Sequence, residues 1–389
     1  MLKTHLGFNN VLQPDLSLSN GIKLIDKNGN HWLDIFGNYS SLPFGHNYKP
    51  IKDHFIEKSH LFSERSPLCA FNHFEVDIFN NELKKIVGKK FQNISFAENG
   101  GLANEQIIKS FLYKGYIEKR KIKFFVIGGS YHGIAGLSLK LTKVANSAFN
   151  RTNYIDDKTN IEVELLDNKN DDCDFDNNFL NVVFVEPLKC TKGDESLSQE
   201  IINKINIIKK IKNCFLVYDE IQTGLYPLLE MWGYQYFNLP DPDIICFGKR
   251  FQVSGFISNE SLSLVFKNDA PKILSSTFDG SLIDLTRGAF LITHTKTYVE
   301  SNKNRILKNI NYLREILLKS LDKYQFKISI FGTYISIKFN DDFQMNKYSK
   351  FLTDKMILHN PTPPRSIRLR PPINISKKDI ELLKDRLIN

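Results

Sequence analysis

The chain has 389 residues, of which 42% are hydrophobic and 24% charged, with a formal net charge of +9. That composition excludes collagen-like, coiled-coil and wholly disordered classes, and the length suffices for one large domain or two ordinary ones. No apolar stretch approaches the ~20 residues of a membrane span, and MLKTHLGFNN lacks the apolar centre of a secretory signal, so a soluble, cytoplasmic protein is expected.

Only eleven of the 52 basic residues are Arg. The Lys residues are scattered, with no basic run interleaved with aromatics, which argues against nucleic-acid binding. Cys69, Cys173, Cys190, Cys214 and Cys246 stand far apart without a CxxC pair. No disulfide framework is implied, and the dispersed His residues imply no metal.

In chain order, KFFVIGG (Lys123–Gly129) is a short apolar run closed by glycines. The polar stretch from about Asp156 to Asn178 reads as a surface excursion of loop and short hairpin. NVVFVEP (Asn181–Pro187), CFLVYDE (Cys214–Glu220) and DIICFGK (Asp243–Lys249) follow as near-continuous apolar strands. Ser196–Asn213 lies between the first two, with the Ile spacing of an amphipathic helix. Such alternation predicts a parallel sheet covered on both faces. Beyond it, a helical stretch Arg287–Tyr324, weaker strands FKISIFG and YISIKF, a Pro-rich turn and a final helix suggest a smaller α+β lobe.

Ligands of open α/β sheets sit at the carboxyl ends of the strands, and those ends here carry Glu186, Asp219–Glu220 and Lys249. Each alone is an ordinary cap or turn residue. Together they fit a pyridoxal phosphate site, which needs a Lys for the cofactor's carbonyl and a carboxylate for its pyridine nitrogen. YDEIQTG followed by PDIICFGK resembles the signature of the class III (ω-) aminotransferases of fold type I. FGKRFQVSGF (Phe247–Phe256) brings the resemblance closer to the bacterial L-lysine 6-aminotransferases. It extends from HWLDIFGNYSSLPFGHN (His31–Asn47) to IRLRPPI (Ile367–Ile373).

The resemblance implies an α/β fold: a large domain with a mostly parallel sheet flanked by helices, plus a smaller α+β domain. The corresponding limits are an N-terminal segment 1–50 joining the small domain, a pyridoxal 5'-phosphate-binding domain 51–290 and a C-terminal domain 291–389. Lys249 and Asp219 are implied as catalytic residues. FAENGGLANE (Phe96–Glu105) resembles the family's phosphate turn, with Gly100 and Gly101 opening a helix whose N-terminus favours an anion. SYHG (Ser130–Gly133) makes Tyr131 the residue that stacks on the pyridine ring. Gln222 falls near the ring oxygen and substrate. Thr277, in SSTFDGS, would serve the phosphate of a neighbouring subunit, implying a homodimer. Arg368 matches the Arg that takes the substrate carboxylate, a task suited to a bidentate guanidinium, with Arg370 as the neighbouring candidate.

Two positions depart from the family. Ile134 stands where lysine 6-aminotransferases carry an Arg for a dicarboxylate cosubstrate, and Thr191 where ω-aminotransferases carry a Glu over the carboxylate-binding Arg. The expected activity is transfer of a terminal amino group from L-lysine or a lysine-like amine to a keto acid such as 2-oxoglutarate. The alternative keeps the cofactor but acts on a modified or carrier-bound biosynthetic amine with an altered cosubstrate.

Overall fold

A computed structural model describes residues 12–63, 65–144, 161–168, 175 and 178–388. Its centre is a seven-stranded sheet, whose strands in chain order are β1 (Asn93–Ala97), β2 (Lys121–Val126), β3 (Ile161–Leu165), β4 (Phe179–Val185), β5 (Cys214–Asp219), β6 (Ile244–Phe247) and β7 (Ser254–Ser258). They lie in the order β1-β7-β6-β5-β4-β2-β3. β3 through β6 run parallel with β2, and β7 is antiparallel to both its neighbours.

The continuous apolar runs have a simple cause. Successive side chains of a strand point to opposite faces, and both faces are covered. Along β4, Leu180, Val182 and Phe184 join one core layer, while Val183 and Val185 join the other. The Gly100–Glu118 helix covers the first layer through Ala103, Ile107, Ile108 and Phe111. The Gln199–Ile208 helix packs Ile201, Ile205 and Ile208 into the second. Its start is set by Ser198, whose hydroxyl accepts the Ile201 amide at 3.3 Å.

The excursion after Asp156 is not all loop and hairpin, as far as it is described. Ile161–Leu165 pairs in parallel with β2 as the sheet's edge strand. Its alternating sequence IEVEL explains this: Glu162 and Glu164 both reach Lys123 on β2, at 3.2 and 2.8 Å. The rest of that polar stretch, Cys173 included, lies largely outside the described residues.

The helix expected over Arg287–Tyr324 spans Leu282–Ser320 and carries the chain across position 290/291. After it, Phe326–Phe331 and Tyr334–Phe339 form a hairpin, which Ser366–Leu369 and Asn360–Thr362 extend into a four-stranded antiparallel sheet. The N-terminal strands Pro14–Asn20, Lys23–Asp26 and His31–Asp34 are joined by Ile357–Leu358. The two ends of the chain thus meet in one sheet.

Candidate active site

β4, β5 and β6 lie side by side and end on one edge of the sheet. Asp219 stands at the end of β5, and Glu186 and Lys249 stand just past the ends of β4 and β6. Asp219 closes β5 opposite Cys246 of β6, so the chain needs only a short turn to bring Lys249 beside it. A cavity of about 470 Å³ opens there. Gly100, Gly101, Tyr131, Asp219, Gln222 and Lys249 all lie on its wall, with His132, Ile134 and Glu186.

Asp219 is held firmly. Its Oδ2 accepts from Asn104 Nδ2 at 2.7 Å and His132 Nδ1 at 2.9 Å, and its Oδ1 from the Ile221 amide at 3.2 Å. A carboxylate only accepts, so His132 carries its proton on Nδ1. Asn104 also donates to the His132 carbonyl at 2.8 Å, tying the helix to the loop after β2. Neither residue was singled out from the sequence, although both lie in motifs that were, FAENGGLANE and SYHG. The available signal was Asn104 itself, an amide one helical turn after Gly100 on the face that the apolar spacing buries.

Burial pulls the Lys249 amine down to about 8, with Arg368 acting in the same direction and Glu186 opposing. Glu186 is pushed the other way: burial raises it to about 8 and the Asp219 charge adds to this. The Tyr131 amide, donating to Glu186 Oε2 at 2.7 Å, resists that rise and fixes the loop carrying Tyr131. Glu220 points elsewhere. It accepts from the Gly233 and Tyr234 amides at 2.7 and 2.8 Å and pins the loop after β5.

The first amides of a helix have no acceptor within it. Asn99 accepts the Leu102 amide through its side chain at 3.0 Å, which leaves the Gly100 and Gly101 amides on the cavity wall. The crossing behind them is tight: a Cβ on Gly133 (φ +114) would stand 2.8 Å from Gly101 Cα.

The two candidate arginines separate clearly. Arg370 is locked on Asp194, Nη1 to Oδ2 at 2.8 Å and Nη2 to Oδ1 at 2.5 Å, and lies 3.8 Å over the Tyr334 ring. Arg368 has no carboxylate partner among the described residues. Its Nε donates to Thr362 Oγ1 at 2.8 Å, and its Nη1 to the Cys190 carbonyl at 2.8 Å and Gln222 Oε1 at 3.1 Å. Arg368 therefore reaches the site through Gln222 and stands behind the cavity wall. Thr191 lies in the turn Cys190–Lys192, which presents a backbone carbonyl to Arg368. Thr277 lies in an exposed turn outside the lining of its own chain's cavity.

The sequence profile of "Aminotransferase class-III" matches residues 9–389. The chain belongs to this family. It is 23% identical to L-lysine-epsilon aminotransferase of Streptomyces clavuligerus, over 96% of this chain and 89% of that protein. It is 25% identical to acetylornithine aminotransferase of Aquifex aeolicus, over 93% of this chain and 92% of that one. Among solved structures, lysine aminotransferase from M. tuberculosis in the internal aldimine form superposes with a TM-score of 0.84 at 20% identity, over 98% of this chain and 95% of that chain. The fold is that of the fold type I pyridoxal phosphate enzymes, and the class-III chain is a transaminase that uses this cofactor. The residues present fit the group. A buried amine drawn down to about 8 is partly neutral near physiological pH, a firmly held carboxylate lines the same cavity, and two glycine residues there open a helix.

Proposed function

We propose that this aminotransferase takes a terminal amino group from L-lysine or a lysine-like amine and delivers it to a keto acid such as 2-oxoglutarate. The observation that carries the reading is Arg368. A buried guanidinium with no carboxylate in contact among the described residues, one residue behind the cavity, suits an amine or keto acid that brings its own carboxylate. The lysine and acetylornithine aminotransferases among the relatives support an amine at the end of a chain.

In this reading the amides of Gly100 and Gly101 would bind the phosphate, and Tyr131 on the same wall would pack against the ring. Bound pyridoxal phosphate supplies the electrophilic carbon and the electron sink. Asp219, oriented by Asn104 and His132, keeps a proton on the ring nitrogen. Lys249 would hold the cofactor, and its amine, drawn towards neutrality by burial, would take up and give back the substrate's proton. Gln222 stands between this chemistry and Arg368. Thr277 serves the site of a second copy in a homodimer.

Ile134 supports a second reading. It is 57% exposed on the cavity wall, and its apolar side chain offers nothing to a second carboxylate. That favours a modified or carrier-bound amine with a cosubstrate other than a dicarboxylate. The test is spectroscopic. The visible band of the loaded protein should fade with L-lysine alone and return with 2-oxoglutarate. A band unmoved by lysine, ornithine or putrescine would sink the donor assignment. A band that fades with lysine but returns only with a monocarboxylate keto acid would favour the role assigned to Ile134.

A further inference from the structure

We infer that Gln222 is a neutral, displaceable cover over Arg368 and that it sets the enzyme's selectivity for substrates bearing a carboxylate. The inference rests on the reading of Arg368 as the carboxylate site and adds what controls access to it.

Four of the N–H groups of Arg368 are taken by uncharged oxygens. These belong to Thr362, the Cys190 carbonyl, Gln222 and the Asn360 amide, whose oxygen accepts from Arg368 Nη2 at 2.7 Å once the amide is turned to the orientation that satisfies both its ends. A guanidinium has five such donors. Hydrogen bonds are thus nearly complete although no carboxylate among the described residues touches the guanidinium, in contrast to Arg370 with its bidentate Asp194. Three of those acceptors lie off the cavity wall. Only Gln222 is both on the wall and on Arg368, and its contact is the longest of the four, at 3.1 Å. A carboxylate entering from the cavity reaches Nη1 by exchanging places with Gln222 Oε1. The exchange trades a neutral hydrogen bond for a charge-assisted one.

The backbone of Gln222 is fixed, so only the side chain is free to swing. Arg250 Nε lies 3.1 Å from Ser40 Oγ, Ser40 Oγ lies 2.5 Å from Tyr334 Oη, and Tyr334 Oη lies 2.5 Å from the Gln222 carbonyl. Arginine only donates and a carbonyl only accepts, so the direction of the relay is determined. Arg250 donates to Ser40, Ser40 to Tyr334, and Tyr334 to Gln222. This buried line joins the residue after Lys249, the N-terminal segment and the hairpin of the C-terminal sheet to one peptide group.

The test is calorimetric titration of glutarate, a dicarboxylate with no reactive amine or carbonyl, into the pyridoxal phosphate-loaded chain. Loading is checked by absorbance and folding by circular dichroism. Gln222→Ala should bind glutarate about three- to tenfold more tightly, since no hydrogen bond is given up. Gln222→Glu, which supplies a counter-charge in place, should bind it at least about tenfold more weakly. Gln222→Asn, too short to reach Arg368, should behave as Gln222→Ala and replaces it if the latter fails to load. Weaker binding in both the Ala and the Glu variants would make Gln222 a direct ligand and overturn the proposal, as would equal affinity throughout. Arg368→Gln separates the two levels. Loss of glutarate binding there leaves the carboxylate site standing, whereas undiminished binding removes both that site and its cover.

Discussion

At the scale of single residues, the site is governed by charges that burial has shifted. Glu186 is raised from the usual carboxylate range to about 8, and Glu220 to about 7. In both cases burial is the first cause. A carboxyl whose pKa is raised on folding binds more protons in the native state than in the unfolded chain between its two values. Its contribution to stability is then complete below the ordinary value near 4.5 and is lost as pH rises through the folded one. The cofactor-free chain should therefore lose stability between about pH 5 and pH 8. Glu186→Gln, which stays neutral throughout, should flatten that decline in urea titrations run across the same window. An unaltered slope would mean that Glu186 is ionised in the folded protein. Lys249 carries the opposite sign. Depressed to about 8, it favours the folded state as pH rises above that value, so the two effects do not share a window.

At the scale of elements, the proposed anion cradle depends on two segments crossing without side chains between them. The Gly100–Glu118 helix begins where the loop after β2 passes over it, and Gly133 is the point of closest approach. At φ +114 a side chain there is strained by roughly 1–2 kcal/mol, and its Cβ would press Gly101 from 2.8 Å. Gly133→Ala should therefore weaken pyridoxal phosphate binding by about tenfold or more. The fitting control is Gly88→Ala, at φ +73 after the Phe74–Val87 helix, where a Cβ meets nothing within 4 Å. It carries the backbone strain without the crossing. Cofactor titrations followed by absorbance should separate them; equal weakening in both variants would show that strain alone, and not the cradle, is responsible.

At the scale of the whole molecule, the site is assembled from distant stretches. Asp194 and Cys190 follow β4, Arg368 and Arg370 come from the C-terminal sheet, and the ion pair of Arg370 with Asp194 clamps one to the other. Taking either partner away would leave a buried charge, typically worth ~3–5 kcal/mol of destabilisation. One expected partner lies beyond the single chain. Thr277 is exposed, and the stretch Ile56–Phe74 exposes Ile56, Phe62, Phe71 and Phe74, each more than half accessible. Exposed apolar side chains of this kind suit the second copy that the role proposed for Thr277 requires. Sedimentation velocity of the loaded protein should give twice 45.0 kDa, and Thr277→Val should weaken cofactor binding without changing that mass. A loaded monomer at micromolar concentration would refute the shared site.

Much of this was legible in the chain. Parallel strands buried on both faces must be apolar throughout, so NVVFVEP, CFLVYDE and DIICFGK announce themselves, and a ligand at their carboxyl ends follows from the architecture. Glu186, Asp219 and Lys249 were readable because each directly follows or closes such a run. The strand β3 was hidden because an edge strand keeps one side in water and tolerates glutamates, which look like loop. Asn104 and His132 were hidden because their role is a contact across 115 and 87 residues of chain with Asp219; local spacing marks Asn104 as a buried amide but does not name its partner. The same holds for the arginines. Their order in RLRPP made both candidates, and only packing assigned Asp194 to one and left the other facing Gln222. Sequence by itself determined the family, the cofactor and the strand-end residues, because these follow from local pattern. The tertiary structure alone decided which charges are paired, since pairing is set by distances between segments that the chain order does not encode.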